Sequence, residues 1–326
     1  MKFFITGGAG FIGSHLADEL LNQGNQVTVL DDLSTGSLQN IVQHRQNPDF
    51  QFVKGSILNR QTVDELVKTV DYVFHLAAAV GVDLIMKKPL ESLMTNIHGS
   101  ENVLDAANQH QKGILLTSTS EVYGKSQDFP LREDGDRLLG CPQKIRWSYS
   151  TSKAVDEIMA YLYWKIKKTQ TIIVRLFNTV GPRQTGAYGM VIPKFINQAL
   201  NNKDITIYGD GRQTRCFTYV KDVVFALIKL AQWPLAAGNV YNIGSQEEIS
   251  IQEIANRIIK ATNSQSKIIN IPYSNVYEEG YEDMARRLPS IEKISAAIGY
   301  APTLTIDDII ELMIRHQKQN NNSPTL

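Results

Sequence analysis

Seven residues near the N-terminus, Gly7-Gly8-Ala9-Gly10-Phe11-Ile12-Gly13, restrict the fold of this chain more than any others. They follow directly on an apolar run, Lys2–Thr6, and open a helical pattern, Phe11–Asn22. Gly7 and Gly10 permit a tight turn with the backbone close to a ligand, and Gly13 lets the helix lie against the strand. The first helical turn, which holds Phe11 and Ile12, offers N–H groups and the positive end of the helix dipole to a pyrophosphate. Such a spacing is a weak signal alone, but here an acidic residue closes the next strand. That residue, Asp31, lies eighteen positions past Gly13. Its carboxylate suits an adenosine ribose and would repel a 2′-phosphate, which predicts NAD in preference to NADP. Asp32 is a neighbour with the same chemistry.

Apolar runs and helical patterns alternate through the first half, as in a parallel sheet covered on both faces. Strands are expected at Lys2–Thr6, Gln26–Leu30, Asp49–Lys54, Tyr72–Leu76, Gly113–Thr117 and Thr171–Phe177. Helices are expected at Phe11–Asn22, Thr62–Thr69, Ser92–Gln109 and 150–167. After Asn178 glycine and proline become denser, from Gly181-Pro182-Arg183 to Tyr188-Gly189-Met190, and Tyr208-Gly209-Asp210-Gly211 reads as a turn. The expected architecture is α/β: a Rossmann-type doubly wound parallel sheet with a smaller C-terminal substrate-binding lobe. Residues 1–177 form the first domain, rejoined by a strand at Val240–Ile243, and 178–316 supply mainly the lobe. The Asn-rich segment 317–326 is expected to be a disordered tail. Met159, Leu162 and Ile166 broaden the apolar face of the long helices, which predicts a homodimer.

Charge and cysteine content exclude several function classes. Thirty-three basic and thirty-three acidic residues cancel, so no global field recruits nucleic acid or an anionic membrane. Cys141 and Cys216 form no CxxC, and the six histidines lack metal-ligand spacing. Neither a disulfide framework nor a metal site is expected. Gly7-Gly8 ends the first apolar run too early for a signal peptide. No stretch reaches the ~18 apolar residues of a membrane span, so a cytoplasmic protein is expected.

Tyr149-Ser150-Thr151-Ser152-Lys153 places Tyr149 and Lys153 four apart at the start of a helix, on one face. A free tyrosine, with a pKa of about 10, is a poor base at neutral pH. A nearby ammonium and an oxidised nicotinamide are expected to stabilise its phenolate, and Lys153 to hold the nicotinamide ribose. Thr117-Ser118-Thr119-Ser120-Glu121 puts hydroxyls and a carboxylate just past a buried strand, at the edge where open α/β sheets bind ligands.

Together TGGAGFIGSH, HLAA (His75–Ala78, with Leu76 and Ala77 at the cofactor), STSEVYG, YSTSK, RLFNTVGPR and YGDGRQTRCFTYVKD resemble an extended short-chain dehydrogenase/reductase. The likeness runs to about residue 310 and is narrower for the UDP-sugar-modifying members. It implies that Thr119, Tyr149 and Lys153 form the hydroxyl–tyrosine–lysine triad. It further implies that Asn178 and Arg215 hold the nucleotide diphosphate, with Arg183 nearby, and that Tyr208 packs the base. Arg287 resembles an arginine that reaches the diphosphate and sugar in UDP-glucuronate decarboxylases.

The implied chemistry begins when Tyr149 takes the proton of a sugar hydroxyl and the same carbon gives hydride to NAD, leaving a 4-keto sugar. A 4-epimerase returns the hydride to the other face, a 4,6-dehydratase loses the C6 hydroxyl, and a uronate loses carbon dioxide. The pair Ser120-Glu121, with Arg287, resembles UDP-glucuronate decarboxylases most. UDP-hexose 4-epimerase and 4,6-dehydratase are the alternatives. A catalytically silent NAD-binding protein is disfavoured because tyrosine and lysine are both present.

Overall fold

The computed structural model describes residues 1–186, 190–276 and 282–322; Tyr188 and Gly189 of the glycine-rich passage lie outside them. The first half runs β1 (Lys2–Thr6), α1 (Phe11–Asn22), β2 (Gln26–Asp31), β3 (Phe50–Lys54), α2 (Arg60–Lys68), β4 (Tyr72–His75), α3 (Val82–Lys87), α4 (Pro89–Gln109), β5 (Gly113–Thr119), α5 (Ser148–Leu162) and β6 (Thr171–Leu176). A wider π-helical turn, Tyr163–Lys167, continues α5. Then follow β7 (Thr179–Val180), α6 (Val191–Leu200), β8 (Ile205–Tyr208), β9 (Thr214–Cys216), β10 (Thr218–Tyr219), α7 (Val220–Gln232), β11 (Val240–Ile243), β12 (Glu248–Ser250), α8 (Ile251–Thr262), β13 (Ile268–Ile271), α9 (Glu292–Ile298) and α10 (Ile306–Asn322).

Seven strands form one sheet in the order β11-β6-β5-β4-β1-β2-β3, and every pairing in it is parallel. A sheet buried on both faces needs near-continuous apolar strands rather than alternating ones. In β1, Phe3 and Ile5 pack with Leu16 and Leu20 of α1 and Leu227 of α7. Phe4 points the other way, toward Val63 of α2, Leu104 of α4 and Ala160 of α5. The chain leaves β1 for β2 and β3, then returns on the other side to β4, so the topological switch lies between β1 and β4. That crevice, at the carboxyl ends of the strands, is where such sheets bind ligands.

The second lobe has its own core, in which Phe195 and Ile196 of α6, Ile254 and Ile258 of α8 and Ile310 of α10 meet. Residues 178–316 do not all belong to it: α7, β11 and Ile294 of α9 complete the main core. The C-terminal expectation needs correction. Residues 317–322 continue α10 rather than forming a disordered tail, because Ile306, Ile309, Ile310, Met313 and Ile314 bury one face and carry the helix onward. Residues 323–326 lie outside the described ones. Among the described residues no helix is long and apolar enough to cross a membrane, and no cluster could hold a metal ion.

Candidate active site

A cavity of about 720 Å3 runs from the glycine loop across the ends of the strands into the second lobe. At its first end Gly7 is left-handed, φ +72°. A Cβ there would stand 2.8 Å from the Ala77 nitrogen, and one on Gly13 would stand 2.3 Å from the Gly7 oxygen. The turns after β1 and β4 therefore abut, and α1 rests on the glycine turn. No side chain caps α1 and its first turn holds no acid, so its N-terminal amides are left for an anion. Gly10, Phe11, Ile12, Leu76 and Ala77 line this part.

The structure separates the two aspartates. Asp31 is buried, with Oδ2 accepting from Ala9 N at 3.0 Å and Oδ1 from Leu33 N at 2.8 Å. Burial, opposed by those bonds, raises its pKa. Asp32 is exposed and accepts from Ser34 N at 2.9 Å. Asp31 thus ties the glycine loop to the end of β2, and both it and Asp32 line the cavity. The glycine cradle, the uncapped helix and the Asp31 carboxylate fit an adenine dinucleotide.

The reacting side chains collect where β5 ends. The strand runs to Thr119, whose Oγ1 accepts from Glu121 N at 3.2 Å and so caps the short 3-10 turn Ser120–Tyr123. Tyr149 and Lys153 on α5 line the cavity beside Thr119 and Ser120. Lys153 is buried, and its Nζ donates to the fully buried Asp156 Oδ2 at 2.7 Å. This differs from the expectation for Tyr149. Burial first, then the Glu121 and Asp156 carboxylates, push its phenol above the ordinary range, with Arg146 opposing them. The Lys153 ammonium is matched by Asp156 and leaves the phenol protonated in the cofactor-free protein.

Beyond the tyrosine lies a buried group of opposite charges. Arg146, in the 3-10 turn Ile145–Trp147 ahead of α5, grips Glu121 with two bonds, Nη1–Oε2 at 2.5 Å and Nη2–Oε1 at 2.9 Å. Arg287 Nη1 stands 3.4 Å from the same carboxylate. Burial would raise the Glu121 pKa, but Arg146 and Arg287 outweigh it and hold it down to about 2. Glu121 is therefore a fixed anion at neutral pH, with both oxygens engaged, and not a proton reservoir. Arg215 donates from Nη2 to Asp283 at 2.8 Å. Burial, then repulsion from Arg287, lowers its pKa to about 10.

Asn178, at φ 34°, donates to Cys216 O at 2.9 Å and lines the cavity at the start of the second lobe. Tyr208 lies farther in, with Lys194 Nζ 4.0 Å from its ring centroid. Arg183 is placed elsewhere. It does not line the cavity, because Nη2 donates to Asp18 of α1 at 2.7 Å and its backbone N donates to His316 of α10 at 3.2 Å. Arg146, Asp156 and Asp283 went unassigned by sequence reasoning. Arg146 carried a faint signal, three residues before Tyr149, but its bond to Glu121 spans 25 residues.

A family described as GDP-mannose 4,6 dehydratase matches residues 4–313. A UDP-N-acetyl-alpha-D-glucosaminuronate decarboxylase of Bacillus cytotoxicus is 42% identical over 98% of this chain and 99% of its own length. UDP-glucuronic acid decarboxylase 1 of Danio rerio is 34% identical over 99% of this chain and 76% of its own length. Among solved structures, UDP-glucuronic acid 4-epimerase from Bacillus cereus, in complex with UDP-glucuronic acid and NAD, superposes with a TM-score of 0.88. It is 30% identical, covering 98% of this chain and 100% of that one.

Proposed function

Since this chain belongs to the GDP-mannose 4,6-dehydratase family of extended short-chain dehydrogenases/reductases, we propose that it is an NAD-dependent decarboxylase of a UDP-linked uronate. The observation that carries this reading is the buried charge group beside Tyr149. Arg146, Arg215 and Arg287 face Glu121 and Asp283, three cations against two anions, in the wall of the cavity. A buried excess of positive charge favours a substrate that brings a carboxylate as well as a diphosphate.

Tyr149 accepts the C4 hydroxyl proton, and Thr119 orders the same hydroxyl from the end of β5. NAD, which the glycine loop, Asp31 and Lys153 would hold, would supply a reversible hydride acceptor for C4. The C6 carboxylate then lies β to a ketone, so the C5–C6 bond breaks, carbon dioxide leaves, and the electron pair passes into a C4–C5 enolate. Arg146 and Arg287, ordered by Glu121, set positive charge beside the sugar. A proton at C5 completes the pentose framework.

Purified protein incubated with NAD and either UDP-glucuronate or UDP-N-acetylglucosaminuronate is expected to yield a product lighter by one carbon dioxide, read by mass spectrometry. Recovery of both uronates at unchanged mass would sink the decarboxylase reading. Chromatography would then report on the alternative, a UDP-uronate 4-epimerase, which the likeness to the Bacillus cereus enzyme favours.

A homodimer forms part of the same proposal. Helices α4 and α5 leave Leu90, Met94, Ile158, Tyr161 and Leu162 exposed, more apolar surface than one chain covers. Ile158→Asp with Leu162→Asp is expected to halve the mass found by light scattering, from twice to once 36.5 kDa. A wild-type protein already at the single mass would refute the pairing.

A further inference from the structure

Asp283 is a carboxylate of the chain itself, standing where the cavity's arginines are expected to take a ligand's anionic groups. Its Oδ2 accepts from Arg215 Nη2 at 2.8 Å. Its Oδ1 lies 3.4 Å from Arg287 Nη2 and 3.8 Å from Arg146 Nη2. The same Oδ1 accepts from Met284 N at 2.8 Å, which fixes the carboxylate's direction. Asp283 lines the cavity with its side chain 19% exposed, while Arg215 and Arg287 are each 9% exposed. It belongs to a stretch, 282–285, without helix or strand, so it can shift without unwinding a regular element.

The charges make this arrangement a competition. Three guanidiniums against Glu121 and Asp283 leave an excess of one positive charge, and a diphosphate brings two negative ones. Glu121 is held by Arg146 through two short bonds and has Arg287 at 3.4 Å, whereas Asp283 accepts one short bond from Arg215, a long one of 3.4 Å from Arg287, and only a 3.8 Å contact with Arg146. Asp283 is the anion more easily exchanged. A diphosphate arriving at Arg215 and Arg287 must share them with this carboxylate or displace it, and like charges a few ångströms apart in a buried site repel strongly.

We propose that Asp283 is an internal anion that holds the diphosphate-binding arginines in the substrate-free enzyme, lowers nucleotide affinity by competing for them, and thereby speeds release of the nucleotide-sugar product. The inference rests on the reading that Arg215 and Arg287 receive the nucleotide's diphosphate. It makes Asp283 an affinity-setting residue rather than a catalytic one. It also separates two roles that a buried aspartate beside arginines could play, because a residue that merely oriented the arginines would strengthen nucleotide binding.

Titration calorimetry of the NAD-loaded protein with UDP decides the sign. In Asp283→Asn the Kd for UDP is expected to fall at least tenfold. The slope of log Kd against log salt should steepen as the cluster gains a positive charge, and competitive inhibition by UDP should strengthen in parallel. An unchanged or weaker affinity in the variant would overturn the proposal and give Asp283 the orienting role. Asp283→Ser, smaller and uncharged, repeats the measurement should the asparagine variant fail to fold, with the same sign required. A wild-type protein that binds no UDP would overturn the nucleotide reading itself, an outcome distinct from an unaltered Kd in the variant.

Discussion

Replacing Tyr149 by phenylalanine is expected to lower kcat by roughly 10^2–10^4-fold, the range for loss of a general acid–base group, with the fold and cofactor affinity unchanged. The substitution removes one oxygen atom. Among the described residues none hydrogen-bonds the Tyr149 hydroxyl, so the thermal midpoint should barely move. The loss should be the same for decarboxylation and for epimerisation, because both begin by taking the proton from the C4 hydroxyl. Burial and the Glu121 and Asp156 carboxylates raise the pKa of the phenol, so Tyr149 is expected to act as a base only where the oxidised nicotinamide lowers it again. Single-turnover absorbance of reduced nicotinamide after mixing with UDP-glucuronate tests the step directly, and undiminished formation in the variant would remove Tyr149 from the mechanism.

How legible this was in the sequence depended on the range of each interaction. The glycine turn, α1 and Asp31 fall within one strand–helix–strand unit, and their roles follow from local spacing; the structure adds only that Asp31 accepts from Ala9 N and so differs from Asp32. Tyr149 and Lys153 were readable because a helix brings residues four apart together. The partner of Lys153 was not assigned, since nothing in local spacing decides between solvent and Asp156, three residues on. Arg146, Glu121 and the pair Asp283 and Arg287 meet from three separate segments, and a single chain of letters holds no record of that meeting. The position of Arg183 was hidden for the complementary reason. Its motif placed it near the ligand, but its left-handed backbone, φ 69°, and its bond to Asp18 keep it out of the cavity wall. The segment 317–322 looked polar enough to be loose, and the apolar face beginning at Ile306 overrode that local signal.

Glu121→Gln should be the most destabilising single change at the site, by about 3 kcal/mol at neutral pH, since removing one partner of a buried ion pair typically costs about 3–5 kcal/mol. The same size follows independently from the pKa, which the arginines hold at about 2 against an ordinary 4.5; at 1.36 kcal/mol per unit that is about 3 kcal/mol. The variant leaves Arg146, Arg215 and Arg287 facing Asp283 alone. The pH dependence has a definite sign. A carboxyl whose pKa is depressed on folding contributes fully above its unfolded value near 4.5, and the contribution disappears as pH falls toward 2. Urea midpoints of the two proteins should therefore differ at pH 7 and converge as pH falls from about 4.5 to 2. A gap that stays constant through that window would mean that Glu121 stabilises by shape and packing, not as an anion. Adding Arg146→Met should recover part of the loss, because the unmatched guanidinium is the source of the cost. If instead the two substitutions simply add, the clamp on Glu121 contributes nothing to folding, and the bidentate bond serves only to hold the carboxylate in place for substrate.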